Sequence, residues 1–138
     1  RIAAALDMLD TKRAMILSSN DGMDEISVSD ITYATLLING KITDIEINPE
    51  NYGIPLASKD DIMGEGPEFN AKLTSDILSK KIVGAKLDIV LINTAAALII
   101  DEKARDFKDG IDMAKAAIIS GAAKEKLEQI IKVSNRLS

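Results

Sequence analysis

The chain has 138 residues, with 17 Lys plus Arg against 22 Asp plus Glu and a formal charge of −5. Its 46% hydrophobic and 28% charged content is that of one folded domain, not of a disordered chain. Cys and His are both absent, which excludes a disulfide scaffold, a thiolate zinc site, a cysteine nucleophile, a Ser-His-Asp triad and an imidazole base, and the acidic balance disfavours a surface that tracks nucleic acid phosphates.

Arg1 opens directly onto the apolar run Ile2–Leu6, where no basic segment, apolar segment and cleavage site form a secretory signal. Residues up to about Asp10 read as the end of a helix, so the chain is expected to be a piece of something longer. Ala14–Leu17 is a brief apolar run closed by Ser18, Ser19, Asn20, Asp21 and Gly22, the pattern of a short buried strand entering a loop. The β-branched stretch Ile31–Ile38 meets Lys41–Ile47 across Asn39 and Gly40. A type I′ hairpin turn needs positive φ at both central positions, and Asn-Gly is suited to that. Asp44 and Glu46 alternate with Ile45 and Ile47, so one face of the second strand is predicted to be wet.

A loop containing Pro49 and Pro55 then runs to Gly66. Pro67 is placed as the first residue of a helix, in which Phe69, Leu73 and Ile77 recur at one spacing up to about Ser79. After Gly84 a second helix is predicted from about Ala85 to Ile100. Its apolar part, Ile89–Ile100, is far shorter than the ~20 residues a bilayer needs. It is also interrupted by Asn93 and Thr94, so it reads as a buried helix, and the cytoplasm is the expected location. A third helix begins behind Asp106, whose carboxylate can accept the free amides of the first turn. Phe107, Ile111, Ala114 and Ile118 form its inward stripe, and Gly121 suits the position just past its end. The last helix carries Leu127, Ile130, Ile131 and Leu137 on one face. Its Lys124, Lys126, Lys132 and Arg136 are interleaved with Glu125 and Glu128 and read as solvated.

The dense polar cluster Ser18–Glu25 follows a buried strand, the end at which α/β proteins place ligands. Asp24 and Glu25 would point to opposite faces of a regular strand but can converge in a loop. Paired carboxylates are a typical protein contribution to Mg²⁺, which keeps several waters and takes further oxygens from substrate phosphates. The same residue types also dominate plain solvated turns, and spacing leaves both readings open. A glycosidase pair fits worse, because its carboxyls must flank a bond from opposite sides. Gly64-Glu65-Gly66-Pro67 precedes a helix, but Glu65 and Glu68 would repel an anion there, so a flexible turn and helix start is expected. Asn93 and Thr94 are expected to bond to nearby backbone or a neighbouring element. Lys12-Arg13 reads as a solvated edge, not a phosphate site.

The order of motifs is more specific than any one of them. Asp21-Gly22-Met23-Asp24-Glu25-Ile26-Ser27 resembles the Asp-Gly-Leu/Met-Asp-Glu-hydrophobic-Ser segment of anthranilate phosphoribosyltransferases. Thr32, the Asn-Gly hairpin and Pro49-Glu50-Asn51-Tyr52-Gly53, similar to that family's Pro-Glu-Asp-Phe-Gly, follow in order. Asn70-Ala71 and Ile92-Asn93-Thr94-Ala95-Ala96-Ala97-Leu98, similar to its Leu-Asn-Ala-Ala-Ala-Ala-Leu helix, complete the set.

The resemblance implies an α/β fold, the C-terminal part of a nucleoside phosphorylase/phosphoribosyltransferase-type catalytic domain. That domain would have a mixed sheet with a β-hairpin followed by about four helices. Such enzymes move phosphoribosyl from 5-phosphoribosyl diphosphate to the amine of anthranilate in tryptophan biosynthesis. The family's Asp-Glu pair binds Mg²⁺ and falls here on Asp24 and Glu25. Its diphosphate loop, its anthranilate contacts and the helical domain through which it forms homodimers would all lie upstream of Arg1, so residues 1–138 are expected to be inactive alone and to hold no catalytic residue. Fusion of the parent to a glutamine amidotransferase stays open. Ser18-Ser19 stands where the family has His-Gly. The alternative is a non-catalytic relative that binds nucleic acid on the same fold, for which a basic groove would be required.

Overall fold

In the computed structural model, which describes residues 1–136, the chain runs from helix α1 (Ile2–Met8) into strands β1 (Arg13–Ser19), β2 (Thr32–Ile38) and β3 (Lys41–Ile47). A 3₁₀ turn (Pro49–Tyr52) follows, and then helices α2 (Lys59–Ile62), α3 (Pro67–Leu78), α4 (Ala85–Ile100), α5 (Phe107–Ser120) and α6 (Ala122–Ser134). The hairpin forms as its turn chemistry dictates. Asn39 and Gly40 have φ of 49° and 81°, and Ile38 pairs with Lys41 to close the turn.

The sheet is three-stranded in the order β1-β2-β3, and both pairings are antiparallel. The α/β class is as expected, but the mixed sheet is not found among the described residues. Parallel neighbours need a long crossover, usually a helix. Only the loop 20–31 joins β1 to β2, so β2 returns beside β1 with Ser19 opposite Thr32. Asp44 and Glu46 are exposed while Ile47 is fully buried, so the second hairpin strand has the wet face its alternation predicts.

The core lies between the other sheet face and the helices, around Ile26, Ala34, Ile47, Leu91, Ile92, Ala95, Ile111 and Ile118. All four stripe residues of α5 are buried, Asp106 caps it by accepting the Asp109 amide at 2.9 Å, and Gly121 ends it in the left-handed conformation. Where α5 crosses α4 the backbones approach closely, and a Cβ built on Gly110 would lie 2.7 Å from the Ala95 Cβ and 2.8 Å from its Cα. Among the described residues five helices follow the hairpin, because α2 adds a short one opened by a capping box between Ser58 and Asp61.

One further expectation needs correction. Arg13 is not a solvated edge. Its guanidinium donates from Nε to the Ile100 carbonyl at 2.9 Å and from Nη2 to the Ile99 carbonyl at 3.2 Å, and its Nη1 meets Glu102 at 3.1 Å. The last carbonyls of a helix lack the amides of a following turn, although that of Ile99 also accepts the Glu102 amide, and a cation there complements the negative end of the helix dipole, so Arg13 fastens the start of β1 to the end of α4. On α6, Ile130 and Ile131 are half exposed, because its contacts with α5 and α3 cover only part of the stripe, and Leu137 lies outside the described residues. Its Lys124, Lys126, Lys132 and Arg136 are exposed as expected.

Candidate functional site

The loop 20–31 is fastened at both ends. Below its tip, the Gly22 amide donates to the Ser19 carbonyl, the Ser19 amide donates to the Met23 carbonyl, and the Asp21 carboxylate accepts the Met23 amide at 3.2 Å. Gly22 takes φ of 91°, a conformation that favours glycine. At the closing end the Asn20 amide donates to the Ile31 carbonyl at 2.9 Å, and the Asn20 side chain donates to Asp30 at 2.9 Å.

Between these ends the chain dives inward. Ile26, Ser27 and Val28 are each 0% exposed, so their backbone groups must find partners inside the protein. Asn93, on α4, accepts the Ile26 amide on Oδ1 at 2.9 Å and donates from Nδ2 to the Ile26 carbonyl at 2.8 Å. The Ser27 amide donates to Thr32 Oγ1 at 3.0 Å, and the Val28 carbonyl accepts the Ala57 amide at 2.9 Å. Ser27 Oγ donates to Asp21 at 2.8 Å and accepts the Ser29 amide at 2.8 Å. The loop is thus a fixed part of the core surface.

Asp24 and Glu25 are exposed beside this buried segment. Partial burial and the neighbouring charge of Asp24 push the Glu25 carboxyl above its ordinary range. Asp21 behaves oppositely. Partial burial would raise it, but hydrogen bonds from Ser27, Ser19 and the Met23 amide, with the Lys59 charge nearby, hold it low. The Lys59 ammonium donates to the Asp21 carbonyl, which ties α2 to the loop. Among the described residues no three acidic side chains gather as a metal cage. Two adjacent carboxylates open to solvent suit a hard divalent cation that keeps its waters and shares a phosphate ligand, and binding it would relieve their mutual repulsion.

The other candidates do not join this site. The Asn70 side chain bonds to both the amide and the carbonyl of Glu65, at 3.0 and 3.2 Å, and so closes the Gly64–Pro67 turn on itself. Thr94 donates to the Val90 carbonyl of its own helix, as expected of a hydroxyl inside an apolar helix. Residue types alone did not single out Asp21, Ser27 and Thr32 as the supports of the loop, although all three stand in the motif order.

Known proteins similar to this chain agree with one another. The model of a glycosyl transferase family, a/b domain, matches residues 1–124. The anthranilate phosphoribosyltransferase of Rhodopseudomonas palustris is 41% identical over 134 residues, covering 97% of this chain and 39% of that protein. That of Methanobrevibacter smithii is 39% identical over 134 residues, covering 97% and 40%. Among solved structures, the Saccharomyces cerevisiae anthranilate phosphoribosyltransferase in complex with PRPP and Mg superimposes with a TM-score of 0.86 at 25% identity, over 95% of this chain and 38% of that one. The Thermus thermophilus enzyme gives 0.79 at 27% identity, over 93% and 37%. The chain therefore spans about two-fifths of the length of the curated relatives it matches.

Proposed function

Because the chain belongs to the glycosyl transferase family through this a/b domain, we propose that it is the C-terminal portion of an anthranilate phosphoribosyltransferase. The observation that carries this reading is similarity to such enzymes along 97% of the chain, including the whole acidic loop. In this reading the intact protein transfers phosphoribosyl from 5-phosphoribosyl diphosphate to the anthranilate amine. The bond from the sugar's anomeric carbon to the diphosphate oxygen breaks, a bond from that carbon to nitrogen forms, and the nitrogen gives up one proton. Negative charge grows on the departing diphosphate as the sugar becomes oxocarbenium-like.

Asp24 and Glu25 hold Mg²⁺ in this proposal. The ion, when bound, supplies charge stabilisation to the diphosphate. The two side chains are exposed, so a donor can approach them, while the buried segment behind keeps their main chain in place. No covalent nucleophile is called for, and the chain contains neither Cys nor His. The remainder of the polypeptide would supply the diphosphate-binding half, the anthranilate contacts and a helical domain that forms a homodimer in the cytoplasm. No helix of the described residues is long and apolar enough to cross a membrane.

The test is steady-state kinetics of the full-length protein. Asp24→Asn with Glu25→Gln should lower turnover by about a hundredfold or more and raise the Mg²⁺ concentration for half-maximal rate. Unchanged kinetics would reject the site, and absence of phosphoribosyl transfer by the unsubstituted protein would reject the activity.

A further inference from the structure

We propose that Asn93 is a positioning residue for the Asp24–Glu25 pair, an inference that rests on the reading of that pair as the Mg²⁺ site. The Ile26 amide nitrogen is bonded to the carbonyl carbon of Glu25. Gripping that amide therefore fixes the far end of the Glu25 backbone. Asn93 grips it twice over, accepting the Ile26 amide at 2.9 Å and donating to the Ile26 carbonyl at 2.8 Å. The same Nδ2 donates to the Ile89 carbonyl at 2.9 Å, one turn back on α4, which locks the side chain in its orientation. An Asn placed this way imitates a strand neighbour, and it lends the loop the rigidity of a sixteen-residue helix.

A residue that merely satisfied buried backbone groups would affect stability and nothing else. A positioning residue also changes how well the carboxylates meet a cation, because ligand affinity falls when the groups that orient the ligands are removed. The Ser19 amide holds the peptide before Asp24 through the Met23 carbonyl, whereas Asn93 acts on the peptide directly after Glu25.

Three variants of the full-length protein separate the two roles, with Mn²⁺ as the probe in the presence of inorganic diphosphate and binding followed by electron paramagnetic resonance. Asn93→Ala should weaken Mn²⁺ binding by about tenfold or more. Asn93→Asp keeps an acceptor for the Ile26 amide but cannot donate, and should give an intermediate loss. Ile118→Ala, in the buried stripe of α5, should reduce stability and leave Mn²⁺ affinity unchanged. Asn93→Ala weakening Mn²⁺ binding no more than Ile118→Ala does would overturn the inference. Should Asn93→Ala fail to fold, Asn93→Asp decides by the same comparison. The Asp24→Asn, Glu25→Gln protein distinguishes the two failures. If it weakens binding and the Asn93 variants do not, only the role of Asn93 is lost; if it does not, the metal site itself falls and this inference with it.

Discussion

Gly110→Ala is a substitution that helix propensity and packing read in opposite directions. In a solvent-facing helix the change would stabilise by about 1 kcal/mol, since glycine gives up more backbone freedom on folding. Here the new methyl would sit 2.7 Å from the Ala95 Cβ, 2.8 Å from its Cα and 3.2 Å from its carbonyl oxygen. Ordinary carbon–carbon separations lie near 3.5–4.0 Å, so α4 and α5 must part by roughly 1 Å. The nearest atoms include backbone, which no rotamer change can move aside. Overpacking of this kind costs about 1–3 kcal/mol. It acts at the crossing of two helices whose facing residues, Leu91, Ile92 and Ala95 against Ile111 and Ala114, are buried. The expected outcome is net destabilisation of up to about 2 kcal/mol once the propensity gain is subtracted. Hydrogen exchange of α4 and α5 amides in the full-length protein should report it as faster exchange. Adding Ala95→Gly should recover only part of the loss, because it removes the Ala95 methyl but leaves the α4 main chain in the way. A protein made more stable by Gly110→Ala would refute the reasoning, since it would mean that the helices do not approach as described.

Two other outcomes follow from interactions described above. Arg13→Met keeps an apolar stem but removes the donors to the last carbonyls of α4. It should cost about 1–3 kcal/mol in thermal or urea unfolding, with Arg13→Lys recovering part, and an unshifted midpoint would mean that solvent serves those carbonyls equally well. The Asp109 carboxyl is held down to about 2, from an ordinary 3.8, by hydrogen bonds from the Arg105 side chain and amide and by the guanidinium charge. A carboxyl lowered on folding contributes stability that is complete above its unfolded value and is lost as pH falls from about 4 toward 2. Asp109→Asn should therefore flatten the acid side of the stability profile over that window, and an acid limb of unchanged slope would count against the pairing.

Features set by adjacent residues were legible in the sequence. Asn39-Gly40 determines its hairpin because the backbone conformation is a property of those two residues. Asp106, the apolar stripe of α5 and Gly121 define one helix between its own start and stop signals. The loop bearing Asp24 and Glu25 was equally readable, since Asp, Asn, Ser and Gly close the strand before it. What the residues could not reveal depends on partners far away in the chain. Loop residues Ile26–Val28 follow a polar run, and their burial rests on partners beyond it, Asn93 on α4 for Ile26, Thr32 for Ser27 and Ala57 for Val28. Asn93 reaches a loop 67 positions earlier, and the Nε of Arg13 reaches a carbonyl 87 positions later. The stripe on α6 identifies a helix without stating what lies over it. The Ser58–Asp61 box was local and could have been found, but the surrounding polar residues disguised a single turn of helix as loop.

The burial of Ile26, Ser27 and Val28 bears on the thermodynamics of any cation held next to them. Conformational freedom of that backbone is surrendered when the domain folds, not when a ligand arrives. Association should then show a small heat-capacity change, and its enthalpy should stay nearly constant on warming until the helices and sheet melt together.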